Sequence, residues 1–219
     1  MDIHGDQISY IKSLVRERHD VILELETYAK EYEIPIMELD GIETLLQFLR
    51  VQQPAKILEI GTAIGYSAIR MLNDLPQTKV ISIERDEERA KLALDNVRKA
   101  SFQSRFHLVE GDALDVSGDV ENKGPFDVLF IDAAKGQYER FFTLYEPMVS
   151  VGGLIFSDNV LFKGMVSSTA TPESRGLRAL VKKIRAYNEK LMNDQRFQSV
   201  LLPVGDGLMV SKKIEVDNE

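Results

Sequence analysis

KILEIGTAIGYSAIRMLND, residues 56–74, decides the fold. Its first five residues are a short, mostly apolar run, the pattern of a buried strand. Gly61 and Gly65 then mark a turn, and YSAIRMLND (66–74) reads as a helix. The same alternation continues along the chain. KVISIE (79–84) is a second strand, with a helix over 86–100. RFHLVEGD (105–112) is a third strand and FDVLFID (126–132) a fourth, followed by a helix at about 137–148. GLIFSDN (153–159) is the fifth. Thr171-Pro172 supplies an N-cap and a first-turn proline for a long helix. FQSVLLPVGDGLMVSKK (197–213) reads as a β-hairpin around Gly-Asp-Gly, adding an antiparallel strand at one edge. Alternating strands and helices predict an α/β fold, a mostly parallel sheet with helices on both faces.

Before this region the period is helical. Residues 6–31 read as one or two helices, with Ile8, Ile11, Leu14 and Val15, then Val21, Ile22 and Leu25, at helical spacing. A further helix over 41–53 places Ile42, Leu45, Leu46 and Leu49 on one side, and Pro54 stops it. With 219 residues the chain is expected to form one domain, 1–219, with N-terminal helices over 1–53 and an α/β core over 54–219. The absence of cysteine excludes disulfides, cysteine-ligated zinc and thiol nucleophiles, and suits the cytosol. The opening residues resemble no signal peptide, and no apolar run approaches a membrane span, so a cytoplasmic protein with no membrane partner is expected.

The net charge of −8 argues against a broad nucleic-acid surface. It is unevenly spread. Residues 160–200 hold eight basic residues (Lys163, Arg175, Arg178, Lys182, Lys183, Arg185, Lys190, Arg196) against three acidic ones, a local +5 that leaves the remainder at −13. That segment is either a solvated helix face or a patch for an anionic substrate.

The strand ends carry the chemistry, because ligands of such sheets bind at the carboxyl ends of the strands. The spacing of Gly61 and Gly65 is not the G-x-G-x-x-G dinucleotide fingerprint, which disfavours a dehydrogenase. The preceding acid, Glu59, suits a cationic ligand better than a diphosphate, and S-adenosylmethionine carries a sulfonium and an ammonium group. Glu84, 23 residues after Gly61, is placed to accept from ribose hydroxyls. Asp112-Ala113 can offer an acceptor and an apolar contact to adenine. The fourth strand ends in Asp132 and the fifth in Asp158-Asn159. Two carboxylates and an amide oxygen make a hard, oxygen-only, incomplete shell that suits Mg²⁺ rather than zinc. Lys135 follows three residues after Asp132 and can reach over the same point. A phenolic hydroxyl ionises near pH ~10, so at pH 7 only about one molecule in a thousand is a good nucleophile. A metal ion that acidifies the hydroxyl and a neutral lysine that removes its proton answer that need. Each residue also has a plain reading, as a β–α turn, a capping aspartate or a surface lysine. Their succession at consecutive strand ends is what points to a site.

LEIGTAIGYSAI (58–69), SIERD (82–86), EGDAL (110–114), FIDAAKGQY (130–138) and SDNVLFKG (157–164) together resemble the catechol O-methyltransferase-like, metal-dependent class I methyltransferases. The resemblance implies a Rossmann-like fold with a seven-stranded sheet. It implies S-adenosylmethionine as methyl donor, with Met37, Glu59, Gly61, Thr62, Ser67, Glu84, Asp112, Ala113 and Asp132 at cofactor-contact positions. It implies Mg²⁺ (or Mn²⁺ or Ca²⁺) held by Asp132, Asp158 and Asn159, a catalytic centre at Lys135 and Asp132 with Lys135 as base, and a homodimer. Within that family the chain looks most like the bacterial tRNA 5-hydroxyuridine methyltransferases, which implies a tRNA anticodon loop as partner. The 5-hydroxyl and 4-carbonyl of that base are vicinal oxygens and can chelate a metal as a catechol does. Ala134 and Lys163 stand where the animal catechol enzymes have an aromatic residue and a proline, so the rim is more open and more basic. A splayed-out base could enter there, and Phe162 and Tyr138 are aromatics near the rim, although core packing is the plainer role for each. The alternative acceptors are small catechol-like or caffeoyl-type phenols. A non-catalytic nucleoside-binding module predicts instead that metal and Lys135 are dispensable.

Overall fold

In the computed structural model, which describes residues 3–170 and 172–215, the strands form one seven-stranded sheet. In chain order they are β1 (Lys56–Ile60), β2 (Lys79–Glu84), β3 (Phe106–Glu110), β4 (Phe126–Ile131), β5 (Val149–Ser157), β6 (Phe197–Leu202) and β7 (Leu208–Lys213). Across the sheet the order is β3-β2-β1-β4-β5-β7-β6. The first five strands run parallel, and β7 lies antiparallel between β5 and β6. The expected hairpin therefore adds two strands, and the last strand of the chain is the inner one. Strand order reverses between β1 and β4, where the chain has built outward to β3 and must cross back. Such a switch point leaves a crevice at the carboxyl ends of the strands.

Side-chain alternation along β1 shows why the sheet is covered on both faces. Ile57 belongs to a core shared with α2 (Asp20–Glu31), α3 (Leu39–Gln52) and α4 (Tyr66–Asp74), through Leu25, Leu45, Leu46, Leu49 and Ile69. Leu58 and Ile60 point to the other core, built on α7 (Tyr138–Tyr145) and α8 (Arg175–Asn193) through Phe141, Tyr145, Ile184 and Tyr187. The remaining helices are α1 (Ile3–Ser13), α5 (Glu87–Lys99) and α6 (Ser117–Glu121). No helix among the described residues is long and apolar enough to cross a membrane.

The structure corrects several boundaries. The N-terminal run is two helices, broken over 14–19. The helix expected over 137–148 is split into a 3-10 turn (Lys135–Gln137), α7 and a second 3-10 turn (Glu146–Met148), because Pro147 cannot continue an α-helix. β5 starts at Val149, earlier than the periodicity suggests, with a register shift against β4 between Phe126 and Val128. The long helix starts at Arg175 instead of just after Pro172. Its N-cap is Ser174, whose hydroxyl accepts the Leu177 N–H at 3.1 Å, while the proposed cap Thr171 lies outside the described residues. A side-chain acceptor at that point satisfies an otherwise orphaned first-turn amide.

Candidate active site

A cleft of about 320 Å³ opens at the carboxyl ends of β1 to β5, and residues from each of those strand ends line it. Its lining includes Met37, Gly61, Thr62, Ser67, Glu84, Asp112, Ala113, Asp132, Lys135, Asp158 and Asn159. The structure thus brings together every residue named from the sequence for the cofactor, the metal and the base except Glu59. The volume lies within the range of small-ligand pockets.

The turn after β1 explains the need for glycine. Gly61 has φ +97°, and a Cβ there would stand 2.0 Å from the Asp132 carbonyl oxygen. A side chain is excluded, so the β1 and β4 ends can meet and Asp132 N–H can donate to the Ile60 carbonyl at 2.9 Å. At the next strand, Glu84 is buried and its carboxylate accepts the Ala63 N–H at 2.8 Å, Arg85 N–H at 2.9 Å and Asp86 N–H at 3.0 Å. Three backbone donors fix it at the edge of the cleft, and two oxygens offer further acceptor sites. Asp112 accepts the Leu114 N–H at 2.9 Å, and its second oxygen lies 3.7 Å from Arg85.

Glu59 sits elsewhere. It is fully buried under the cleft floor, level with Ser82 of β2 in register. The hydroxyls of Ser67 and Ser82 both donate to its carboxyl group. Thr62 and Ser82 hydroxyls are hydrogen-bonded to each other. Burial pushes the Glu59 pKa up to about 7, against the lowering effect of the Ser67 and Ser82 hydroxyls. Glu59 is thus absent from the lining itself and stands behind Ser67 and Thr62, close enough to Asp132 and Glu84 for their charges to raise it further.

The ends of β4 and β5 carry the second half of the cleft. Ile131 pairs with Ser157 in parallel register, which brings Asp132 and Asp158 side by side one residue further on. Asp158 N–H donates to the Ile131 carbonyl at 3.0 Å, and Asp158 is 2 % exposed. Its carboxylate accepts the Asn159 N–H at 2.8 Å. Among the described residues the Asp132 carboxylate accepts no hydrogen bond. Burial, then the neighbouring Asp132, holds the Asp158 carboxyl well above the usual carboxylate range. Burial also raises Asp132, and the nearby Lys135 charge opposes this. Asn159 takes φ +56°, a left-handed conformation that asparagine tolerates better than most residues. Among the described residues no group of three or more His, Cys, Asp or Glu side chains is arranged to hold a metal ion. The candidate donor set is two carboxylates and one amide. Its fit to a hard cation rests on that oxygen-only chemistry and on two adjacent, under-satisfied acids, whose mutual repulsion a divalent ion would relieve.

Two sets of residues were not found from the sequence. Tyr66 lines the cleft, donates its hydroxyl to Glu26 of α2 at 2.8 Å, and accepts from Arg70 at 2.7 Å. Arg70 is buried and also pairs with Glu43 of α3. Pro35 and Ile36 join Met37 along one wall, and Arg85 and Arg89 lie near Asp112. Tyr66 stands inside the quoted glycine motif and Arg70 follows it at i+4, but Glu26 lies 40 residues from Tyr66 and Glu43 27 residues from Arg70, and no local spacing reveals those two. Tyr138 does not line the cleft. It is buried, its hydroxyl donates to the Asp158 carbonyl at 2.9 Å, and its ring packs edge-on against Tyr187, so core packing is its role. Phe162 is partly buried against the same core.

The basic segment over 160–200 is only partly free. Arg178 and Arg185 donate to backbone carbonyls, Lys190 pairs with Glu139, and Arg196 pairs with Asp194 and Glu146. Lys183 donates to the Gly136 carbonyl at 3.4 Å, which places α8 beside the Lys135 turn. Lys163, Arg175 and Lys182 have no ion-pair partner among the described residues.

The sequence profile of the O-methyltransferase family matches residues 12–214. A caffeoyl-CoA O-methyltransferase of Medicago sativa is 29% identical over 214 residues, which span 93% of this chain and 85% of the relative. The crystal structure of a Staphylococcus aureus protein provisionally described as a caffeoyl-CoA O-methyltransferase superposes with a TM-score of 0.88 at 33% identity, covering 97% of this chain and 100% of that one. An O-methyltransferase of Bacillus cereus, solved in complex with SAH, superposes with a TM-score of 0.79 at 26% identity, over 94% and 96% of the two chains.

Proposed function

This chain belongs to the O-methyltransferase family, and from that premise we propose that it moves the methyl group of S-adenosylmethionine onto a hydroxyl flanked by a second oxygen, on an acceptor that carries anionic groups. The observation that carries the reading is the division of one cleft into two chemically different ends. Glu84 and Asp112 are fixed acceptors suited to ribose and adenine, and Asp132 and Asp158 are paired acids beside Lys135.

S-adenosylmethionine supplies an electrophilic methyl group, and its transfer leaves a neutral thioether. Glu84 holds the ribose hydroxyls, and Asp112 with Ala113 receives the adenine. The Gly61 turn leaves room for the methionyl part, with Thr62 and Ser67 on the floor and Met37 on the wall. Asp132, Asp158 and Asn159 are the residues that would hold a divalent cation, which acidifies and orients an acceptor hydroxyl when bound. Lys135 stands at the same end of the cleft and takes the hydroxyl proton as the oxygen attacks. Pairing donor and acceptor in one crevice supplies the alignment that an in-line displacement needs.

Similarity favours a caffeoyl-type phenol joined to coenzyme A as the acceptor, the substrate named for the Medicago relative. A second reading is the 5-hydroxyuridine of a tRNA anticodon loop. It is favoured by Ala134, small and exposed on the cleft lining, by the exposed Lys163 on the segment that follows Asn159, and by Arg175 and Lys182, which like Lys163 have no ion-pair partner among the described residues. Both acceptors carry phosphates, so the unpaired cations suit either. Self-association as a homodimer belongs to the same proposal, supported by the exposed apolar residues Tyr10 and Ile11 of α1 and Leu14 just after it, and is read by light scattering.

Methyl-labelled S-adenosylmethionine is incubated with the protein and, separately, caffeoyl-CoA, a catechol panel, tRNA bearing 5-hydroxyuridine and the same tRNA lacking that hydroxyl, each with and without chelator. Chelator-sensitive label in caffeoyl-CoA is the expected result. Label in the hydroxylated tRNA alone moves the acceptor to the second reading. Label that survives chelator removes the metal role, and no label in any vicinal-oxygen acceptor contradicts the proposal.

A further inference from the structure

The Gly205-Asp206-Gly207 turn between β6 and β7 reads in the sequence only as a hairpin bend. Its position in the sheet gives it more to do. Met209 faces Ser157 in antiparallel register, so the turn projects past the carboxyl end of β5, where Asp158 and Asn159 leave the sheet. Three backbone donors of the outgoing segment end on it. Val160 N–H donates to the Gly207 carbonyl at 3.0 Å and Leu161 N–H to the Asp206 carbonyl at 2.9 Å. Lys163 N–H donates to the Asp206 carboxylate. Among the described residues that amide is the one hydrogen bond this carboxylate accepts. Gly207, at φ +90°, allows the close approach, since a Cβ there would fall 2.5 Å from Leu161 Cγ. The turn is anchored from its far side by Gly205 N–H donating to Asp40 of α3 at 2.8 Å.

The segment it grips needs holding. Asn159, Phe162, Lys163 and Gly164 have φ of +56°, +46°, +53° and +72°. Left-handed conformations at non-glycine residues persist only where the surroundings over-determine them. The Asp206 carboxylate reaches the middle of that run, at Lys163. The same segment begins with Asn159, which lines the cleft, and carries Lys163 on its exposed side.

We propose that Asp206 is a positioning residue that fixes the 159–164 segment, and with it Asn159 and Lys163, at the acceptor end of the cleft; the proposal rests on the reading of that end given above. Full-length wild type, Asp206→Ala and Asp206→Asn are compared by hydrogen–deuterium exchange, by Mn²⁺ titration followed by electron paramagnetic resonance, and by S-adenosylmethionine binding. In Asp206→Ala, exchange over 158–166 is expected to rise ~10-fold and the Mn²⁺ Kd to rise about 10-fold, with cofactor Kd unchanged. Asp206→Asn keeps an oxygen that accepts the Lys163 amide and is expected to stay close to wild type in all three. Wild-type exchange and Mn²⁺ affinity in Asp206→Ala, or an asparagine variant as impaired as the alanine one, overturns the proposal. If Asp206→Ala does not fold, Gly207→Ala presses on Leu161 from the same turn and is expected to weaken Mn²⁺ binding with cofactor binding intact; unchanged Mn²⁺ binding there overturns it equally. If wild type binds S-adenosylmethionine and no Mn²⁺, the metal reading fails, and exchange alone decides the role of Asp206.

Discussion

The two ends of the cleft treat their carboxylates in opposite ways. At the cofactor end, Glu84 accepts three backbone amides and Asp112 one, and behind the lining the buried Glu59 accepts two serine hydroxyls. At the acceptor end, Asp158 accepts one amide and Asp132 none among the described residues, and the pair lies adjacent. The first end is pre-organised by the protein alone. The second is electrostatically incomplete, and a buried acid beside a half-buried one is stable with both ionised only if a cation joins them; otherwise one keeps its proton. The difference teaches which residues the fold completes by itself and which it leaves for a ligand.

Substitutions at the two ends should therefore separate. The largest effect is expected for Asp158→Ala, with turnover down on the order of 10³-fold, since metal activation is worth several kcal/mol, and cofactor Kd within twofold by calorimetry. Equal losses of cofactor binding would erase the division between the ends. Lys135→Ala should slow the chemical step by about 10²-fold or more, measured in single turnover, and less at high pH, where more acceptor ionises without help. Glu84→Gln acts at the other end. It should raise cofactor Kd about 10-fold, the value of a hydrogen bond to a charged group, while Mn²⁺ affinity stays at the wild-type value.

The smallest expected effect is on stability. Glu59 has an ordinary pKa of 4.5 and a native one of about 7. Because the native value is raised, the stability from its protonated, hydrogen-bonded form is full below 4.5 and is lost as pH rises through about 7. Glu59→Gln should flatten the decline in denaturation midpoint across that window. A variant with the wild-type pH profile would show that Glu59 is not the group titrating under the floor.

How far the sequence reached follows the same division. The α/β alternation, the five successive strands along the chain and the strand-end acids were legible because strand period, glycine turns and strand ends are local signals. Asp132, Asp158 and Asn159 converge because β4 and β5 pair in register, a neighbour relation that the chain order alone does not supply. That Glu59 lies behind Ser67 and Ser82 was not legible, because sequence shows that a strand carries an acid near its end but not what packs around that side chain. The Glu26–Tyr66–Arg70–Glu43 network and the Asp206 clasp were invisible because their partners meet only through tertiary packing. Which charges of the basic run over 160–200 are free was equally hidden: Arg178, Arg185, Lys190 and Arg196 are engaged within the fold, and Lys163, Arg175 and Lys182 have no ion-pair partner among the described residues.

The central claim is that the acceptor end is built to be completed by a divalent cation and the cofactor end is not. It is tested most directly by titrating Mn²⁺ into wild type, Asp158→Ala and Glu84→Gln and counting bound metal by electron paramagnetic resonance. The account predicts one site in wild type and in Glu84→Gln and none in Asp158→Ala. A site that survives in Asp158→Ala, or none in wild type, would contradict it.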